Sequence, residues 1–139
     1  MRECVFLESE HFSLSLHFEV FESDIKYPSN TILSVCVSSS GFSASATMDI
    51  DIKNVPTFCV ELNKVYNLLK GEARMHEIYG DQHILFSGDG LGHIMISGLL
   101  KSNGANGFSQ ELKFENFIDQ TYLPAFLKRL TDFTKTFDK

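Results

Sequence analysis

The sequence predicts an α+β protein: a mainly antiparallel β-sheet of about seven or eight strands, with two amphipathic helices packed on one of its faces. Three observations carry that prediction. Long stretches alternate apolar and polar residues with a period of two, which is the pattern of strands with one buried and one wet face. Two segments, opening near Val55 and near Asp119, repeat apolar residues at helical spacing instead. The connections between strands are short and rich in Gly, Asn and Asp, so sequential strands must run antiparallel.

A short first strand falls around residues 3–7. Phe12, Leu14, Leu16, Phe18 and Val20 then alternate with Ser13, Ser15, His17 and Glu19. After a loop over 22–30, the β-branched run from Thr31 to Ser38 reads as a central strand buried on both sides. Gly41 permits a turn. Phe42, Ala44, Ala46, Met48, Ile50 and Ile52 alternate with Ser43, Ser45, Thr47, Asp49 and Asp51 in the clearest period-two pattern of the chain.

The first helix has Asn54 as its expected N-cap and Pro56 in its first turn, where a missing N–H costs nothing. Val55, Phe58, Leu62, Val65 and Leu69 form its apolar stripe, and Gly71 ends it after Lys70. Strands follow over 72–79, 83–87 and 93–100, with Gly80-Asp81 and the stretch from Gly88 to Gly92 as turns. Leu112 and Phe114 mark a further strand. The last helix takes Thr121 as its cap and Pro124 in its opening turn. It buries Leu123, Phe126, Leu127, Leu130, Phe133 and Phe137. The order is four strands, helix, four strands, helix, with no internal repeat evident in the residues. Residues 1–139 are expected to form a single domain.

Composition narrows the function classes. Hydrophobic residues make up 43% of the chain and charged residues 22%, an ordinary globular mixture. Thirteen Phe and no Trp point to a core of purely apolar rings. The net charge of −6 is uneven: residues 1–60 carry eight acids against three bases, and the remainder is nearly balanced. Phosphate backbones repel such a surface, which argues against direct nucleic-acid binding. A basic protein partner would be steered towards it. Cys4, Cys36 and Cys59 make an odd set without a C-x-x-C pair and sit among apolar neighbours, so core packing of reduced thiols is expected. The first residues lack a signal-peptide run, and no stretch reaches membrane-spanning length, which makes the cytoplasm the expected location.

No constellation announces a reaction, and no catalytic, metal or cofactor-binding residue is assigned. The segment Gly88-Asp89-Gly90-Leu91-Gly92-His93 has phosphate-loop glycines but leads into a strand, whereas a phosphate cradle needs a helix N-terminus. His76, Glu77 and His83 fall near one hairpin, yet adjacent strand residues point to opposite faces. Asp49 and Asp51 share one strand face at a spacing that suits a hydrolytic pair, but their surroundings are Ser and Thr.

The order and spacing of four pieces resemble the WapI-like immunity proteins, small bacterial proteins that neutralise a cognate contact-delivered toxin. The pieces are Gly41-Phe42 after a strand, the helix end Leu68-Leu69-Lys70-Gly71-Glu72-Ala73, the strand from Gly92 to Leu100, and Asp119-Gln120-Thr121-Tyr122-Leu123-Pro124-Ala125-Phe126. The resemblance implies a cytosolic, non-catalytic binder of a toxin C-terminal domain, often a nuclease. It carries over no contact residues. The charge excess of the first half, read with that resemblance, makes Glu19, Glu22, Asp24, Asp49 and Asp51 the expected contacts to a basic toxin domain. A monomer that binds one-to-one is expected. The other classes are a non-catalytic interaction module with some other partner and, further off, a small hydrolase built around a closed polar pocket.

Overall fold

In the computed structural model, which describes residues 1–137, the eight strands form two four-stranded antiparallel sheets. Sheet A holds β1 (Arg2–Glu8), β2 (Phe12–Val20), β3 (Thr31–Ser39) and β4 (Phe42–Ile50), in that order. Helix α1 (Val55–Leu68) follows. Sheet B holds β5 (Glu72–His76), β6 (His83–Gly88), β7 (His93–Ser102) and β8 (Gln110–Asp119), and α2 (Leu123–Lys135) ends the elements. The α+β class, the antiparallel pairing and the element order are as the alternation predicted. The strands divide into two sheets because α1 intervenes between β4 and β5. The next backbone bond joining the two regions, from the Ile78 N–H to the Asp49 carbonyl (2.9 Å), lies beyond the end of β5.

The architecture is repeated, which corrects the expectation that the chain contains no internal repeat. Each half is a four-stranded meander, a 3₁₀ turn and a helix. The junctions match residue for residue where the geometry demands it. Asp51 accepts from the Lys53 N–H, and Asp119 accepts from the Thr121 N–H (both 2.9 Å). Five residues on from each aspartate stands a helix-opening proline, Pro56 or Pro124, and two further on a buried phenylalanine, Phe58 or Phe126. Asn54 and Thr121 therefore do not cap the helices with their side chains. The aspartates cap the 3₁₀ turns that lead into them. Elsewhere the halves share little sequence, so alternation alone does not expose the repeat.

Several expected boundaries move for local reasons. Helix α1 stops at Leu68 because Leu69 already adopts the left-handed conformation (φ 56°), ahead of Gly71 (φ 96°). Strand β4 ends at Ile50, and Ile52 is buried inside the 3₁₀ turn rather than on the strand. Strand β3 is buried on one face only: Thr31, Leu33, Val35, Val37 and Ser39 point inward, while Cys36 and Ser38 are exposed. Phe42, at the start of β4, is exposed rather than part of the core.

The apolar faces of both sheets and the stripes of both helices merge into one cluster. The helices pack crosswise. Helix α1, which follows sheet A, lies closest to β5 and β6, whereas α2, which follows sheet B, lies closest to β1. Phenylalanines stitch this arrangement together. Phe86 of β6 meets both Phe58 and Phe126, the equivalent residues of the two helices, at centroid distances of 5.7 and 5.9 Å. Phe133 of α2 meets Phe18 of sheet A at 5.4 Å. Neither half can cover its own apolar face unaided.

Side-chain amides join the segments, and two of them, Asn30 and Gln82, are buried. The Asn30 Nδ2 donates to the Ile25 and Tyr27 carbonyls and to Asp51 Oδ1, while its Oδ1 receives the Thr31 hydroxyl and the Ile52 N–H. The Gln82 Nε2 donates to the Thr47 carbonyl of sheet A and to Glu77, and its Oε1 accepts from the Lys101 N–H of sheet B. Asn116 of β8 donates to the His11 carbonyl and to the Ser39 and Ser40 hydroxyls. The bonds of Asn30 and Gln82 satisfy groups that would each cost about 1–3 kcal/mol if buried unpaired.

Candidate docking faces

Each sheet turns its second face away from the helices. Register defines what those faces present. On sheet A, Cys4, His17, Ser34 and Thr47 form one row across the strands, and Phe6, Ser15, Cys36 and Ser45 the next. Glu8, Ser13, Ser38 and Ser43 lie towards one end, and Arg2, Glu19, Ile32 and Asp49 towards the other. The centre is thus hydroxyl-rich and uncharged. Cys4 and Cys36 stand on this open face, so only Cys59, on the buried side of α1, meets the expectation of core packing. Burial pushes the Cys59 thiol up, partly offset by the Thr131 and Thr134 hydroxyls.

Sheet B presents different chemistry at matching positions. Counting back from the capping aspartates, Asp49 corresponds to Phe117, Thr47 to Glu115 and Ser45 to Lys113. Its central rows are Arg74, Leu85, Ser97 and Glu115, then His76, His83, Leu99 and Lys113. Around these rows lies an open depression of about 870 Å³, bordered also by Asp81 and Gln82. Lys101 reaches Asp81 at 2.8 Å and holds that carboxyl below the usual range. Phe117, 56% exposed, stands edge-on to His93 at 5.1 Å.

All five acids singled out from the sequence lie at one end of sheet A, where β1 begins, β2 ends and β4 ends, but their states differ. Glu19 on β2 pairs with Arg2 at 3.2 Å. Glu22, in the 3₁₀ turn over Glu22–Asp24, lies 3.8 Å from the N-terminal amine. Asp51 is off the strand, its side chain only 14% exposed, and is held by the Lys53 N–H and the buried Asn30 amide. It does not share the open face with Asp49, because the strand has already ended at Ile50. Among the described residues, Asp24 and Asp49 form no ion pair, and both are exposed.

The histidine and glycine motifs resolve into local structure. His76 and His83 face each other across β5 and β6, and Nδ1 of each lies near a backbone carbonyl, of Glu77 (3.2 Å) and Asp81 (2.9 Å). Glu77 instead accepts from the backbone and side chain of Gln82. The stretch from Gly88 to Gly92 is the β6–β7 turn. The Asp89 carboxyl accepts from the Leu91 and His93 N–H groups there, and those bonds hold it below the usual range. The feature that residue order alone does not reveal is the meeting of Cys4 with His17. It depends on the β1–β2 register, whereas the residues alone set His17 on a wet strand face and Cys4 among apolar neighbours.

No helix among the described residues is long and apolar enough to cross a membrane. Comparison with curated proteins and with solved structures yields no match. The profile of the immunity protein WapI-like family, however, matches residues 6–138, spanning both meanders and both helices. With the repeated meander-and-helix plan in place across that whole span, the chain belongs to the WapI-like immunity protein family.

Proposed function

We propose that this chain is a cytoplasmic, non-catalytic immunity protein that binds a cognate toxin domain and neutralises it by direct occlusion. The observation that carries the proposal is the family match over residues 6–138. The two open sheet faces, held on a shared core, supply rigid docking surfaces of the kind that pre-organised binders use. We further propose that the chain acts as one domain and as a monomer, and that the toxin domain is basic. The net charge of −6 favours that sign of partner through long-range attraction.

Of the five acids at the end of sheet A, Asp24 and Asp49 suit a steering role, since both are exposed and have no ion pair among the described residues. Glu19 and Glu22 join them at the rim, already partly neutralised. Asp51 is occupied in capping, so its replacement would act through stability rather than contact.

The test is co-expression with a toxin domain, sought in the product of the adjacent gene. Restored growth and a one-to-one complex on gel filtration are expected. Continued toxicity in the presence of folded chain would overturn the proposal. Within such a complex, D24K/D49K should slow association about tenfold at low salt and flatten its salt dependence, with little change in dissociation. An unchanged association rate removes these two residues from the steering surface.

A further inference from the structure

The open face of sheet A gathers a thiol, an imidazole and a hydroxyl that no part of the toxin-binding reading uses. Cys4 Sγ of β1 lies 3.6 Å from His17 Nε2 of β2, its directly paired neighbour in the register. Ser15 Oγ, two residues before His17 on the same face, lies 3.0 Å from that Nε2 and 3.8 Å from Cys4 Sγ. The register accounts for this meeting. Residues that alternate on β1 and β2 share a face, and the antiparallel register sets Cys4 opposite His17. A thiolate, not a thiol, is the nucleophile, and a neighbouring base within hydrogen-bond reach is what generates it.

The other two cysteines provide an internal contrast. Cys36 is the most exposed of the three, but its Sγ lies 3.4 Å from the Ser45 hydroxyl, which is no base at neutral pH. Cys59 is buried on α1. Solvent access alone therefore ranks Cys36 ahead of the half-buried Cys4, whereas access combined with a base ranks Cys4 first.

We propose that Cys4 is the chain's site of thiol–disulfide exchange with small-molecule disulfides, with His17 as the group that takes its proton. In the step, the Cys4 S–H proton passes to His17 Nε2 and the thiolate attacks one sulfur of the disulfide. The old S–S bond breaks as a new one forms to Cys4 Sγ. The departing thiolate carries away the electron pair and is protonated from solvent or the imidazolium. No net oxidant beyond the small disulfide is consumed. The product is a mixed disulfide standing beside Ser15, Ser34 and Thr47, in an open depression that Arg2, Glu3 and Glu19 also border. Such an adduct would mask the centre of sheet A and leave sheet B untouched.

The experiment treats the wild-type protein with less than one equivalent of dithiodipyridine at neutral pH, followed by proteolysis and mass-spectrometric assignment of the modified cysteine. Oxidised glutathione serves as a second probe. Cys4 should be modified about tenfold faster than Cys36, with Cys59 unmodified, and H17Q should remove that advantage. Because His17 is exposed, H17Q is expected to fold, and continued protection of Cys59 in the same digest reports that it has. Modification of Cys36 first, or an unchanged Cys4 rate in folded H17Q, overturns the proposal. The readout needs no toxin, so its failure leaves the immunity reading standing, and the reverse also holds.

Discussion

The two halves of this molecule solve one architectural problem with different side chains, and the places where they differ separate what the fold requires from what it merely permits. Both need an aspartate to receive the backbone N–H groups of the 3₁₀ turn, a proline to open the helix, and a phenylalanine two residues on to reach the shared core. Both need alternating apolar residues on the inner face. On the outer face nothing is required, and there the halves diverge: hydroxyls, Cys4 and His17 on sheet A; Arg74, Lys113, Phe117 and two histidines on sheet B. Chemistry that an equivalent position does without is not demanded by folding.

Even the inner faces reach equal packing by unequal parts. Val35 of β3 pairs with Ala46 of β4, while the equivalent Gly98 of β7 pairs with Phe114 of β8. A Cβ at Gly98 would stand 2.5 Å from the His83 carbonyl oxygen and 2.7 Å from the Phe114 ring. The glycine thus leaves the space that the ring fills, and the ring continues to Phe12 of sheet A at a centroid distance of 6.1 Å. The largest effect expected is therefore at Phe114. Its replacement by Ala should cost about 3–5 kcal/mol, read from urea unfolding midpoints. A loss below 1 kcal/mol would break the idea that sheet B depends on this ring where sheet A uses a small pair.

Gly98→Ala should cost about 1–3 kcal/mol through overpacking rather than through a cavity. In the F114A background the penalty should shrink but persist, because the clash with the His83 carbonyl is with backbone and stays. Strict additivity of the two substitutions would show that ring and glycine do not share the space.

The polar joints come next in size. Asn30 lies wholly within the first half, fully buried, and its amide serves five bonds. Gln82 bridges the halves, with Thr47 on one side and Lys101 on the other. Asn30→Ala should cost about 2–3 kcal/mol and Gln82→Ala about 1–2 kcal/mol, since each strands buried backbone groups. Amide exchange separates their consequences. Q82A should raise exchange at Lys101 and N30A at Ile52, and exchange rising uniformly in either variant would mean the joints are not local.

The caps give the smallest and most diagnostic pair. Asp119→Asn should lower stability slightly near neutral pH, and Asp51→Asn more, because Asp51 also holds the Asn30 amide. The Thr121 N–H holds the Asp119 carboxyl below the usual range. A folded-state value below the unfolded one means that the stabilisation is fully present above the unfolded value of about 3.9 and is lost as pH falls through the folded value. The wild type and D119N should therefore converge in stability in acid. A gap that stays constant down to the acid transition would assign the cap to geometry rather than charge.

Much of this was legible in the residues. Most strands are legible because alternation with a period of two is a local property, the Thr31–Ser38 strand because of its β-branched run, and both helices because their stripes recur at helical spacing. The family resemblance, resting on the helix ends and the strand from Gly92 to Leu100, was legible too, and it agrees with the match over residues 6–138. The charge excess to which the acids at 19, 22, 24, 49 and 51 belong is legible in the sequence. The pairing of Glu19 with Arg2 and of Glu22 with the N-terminal amine, and the bond from Asn30 to Asp51, are not visible there, because each partner is distant in sequence. The repeat is not legible in the residues for a related reason: the fold fixes only the cap, the proline, the phenylalanine and the apolar face, and leaves the rest of each half free to drift.

Local spacing thus determined, without coordinates, which segments are strands, which are helices, and which side of each is apolar. Only tertiary structure decided that eight strands make two sheets, that each helix packs chiefly against the other half's sheet, and that Cys4 faces His17. The physical reason is range. Periodicity and capping are interactions between residues a few positions apart, whereas register and crosswise packing are chosen by the burial of the whole apolar surface at once, which no window of sequence contains.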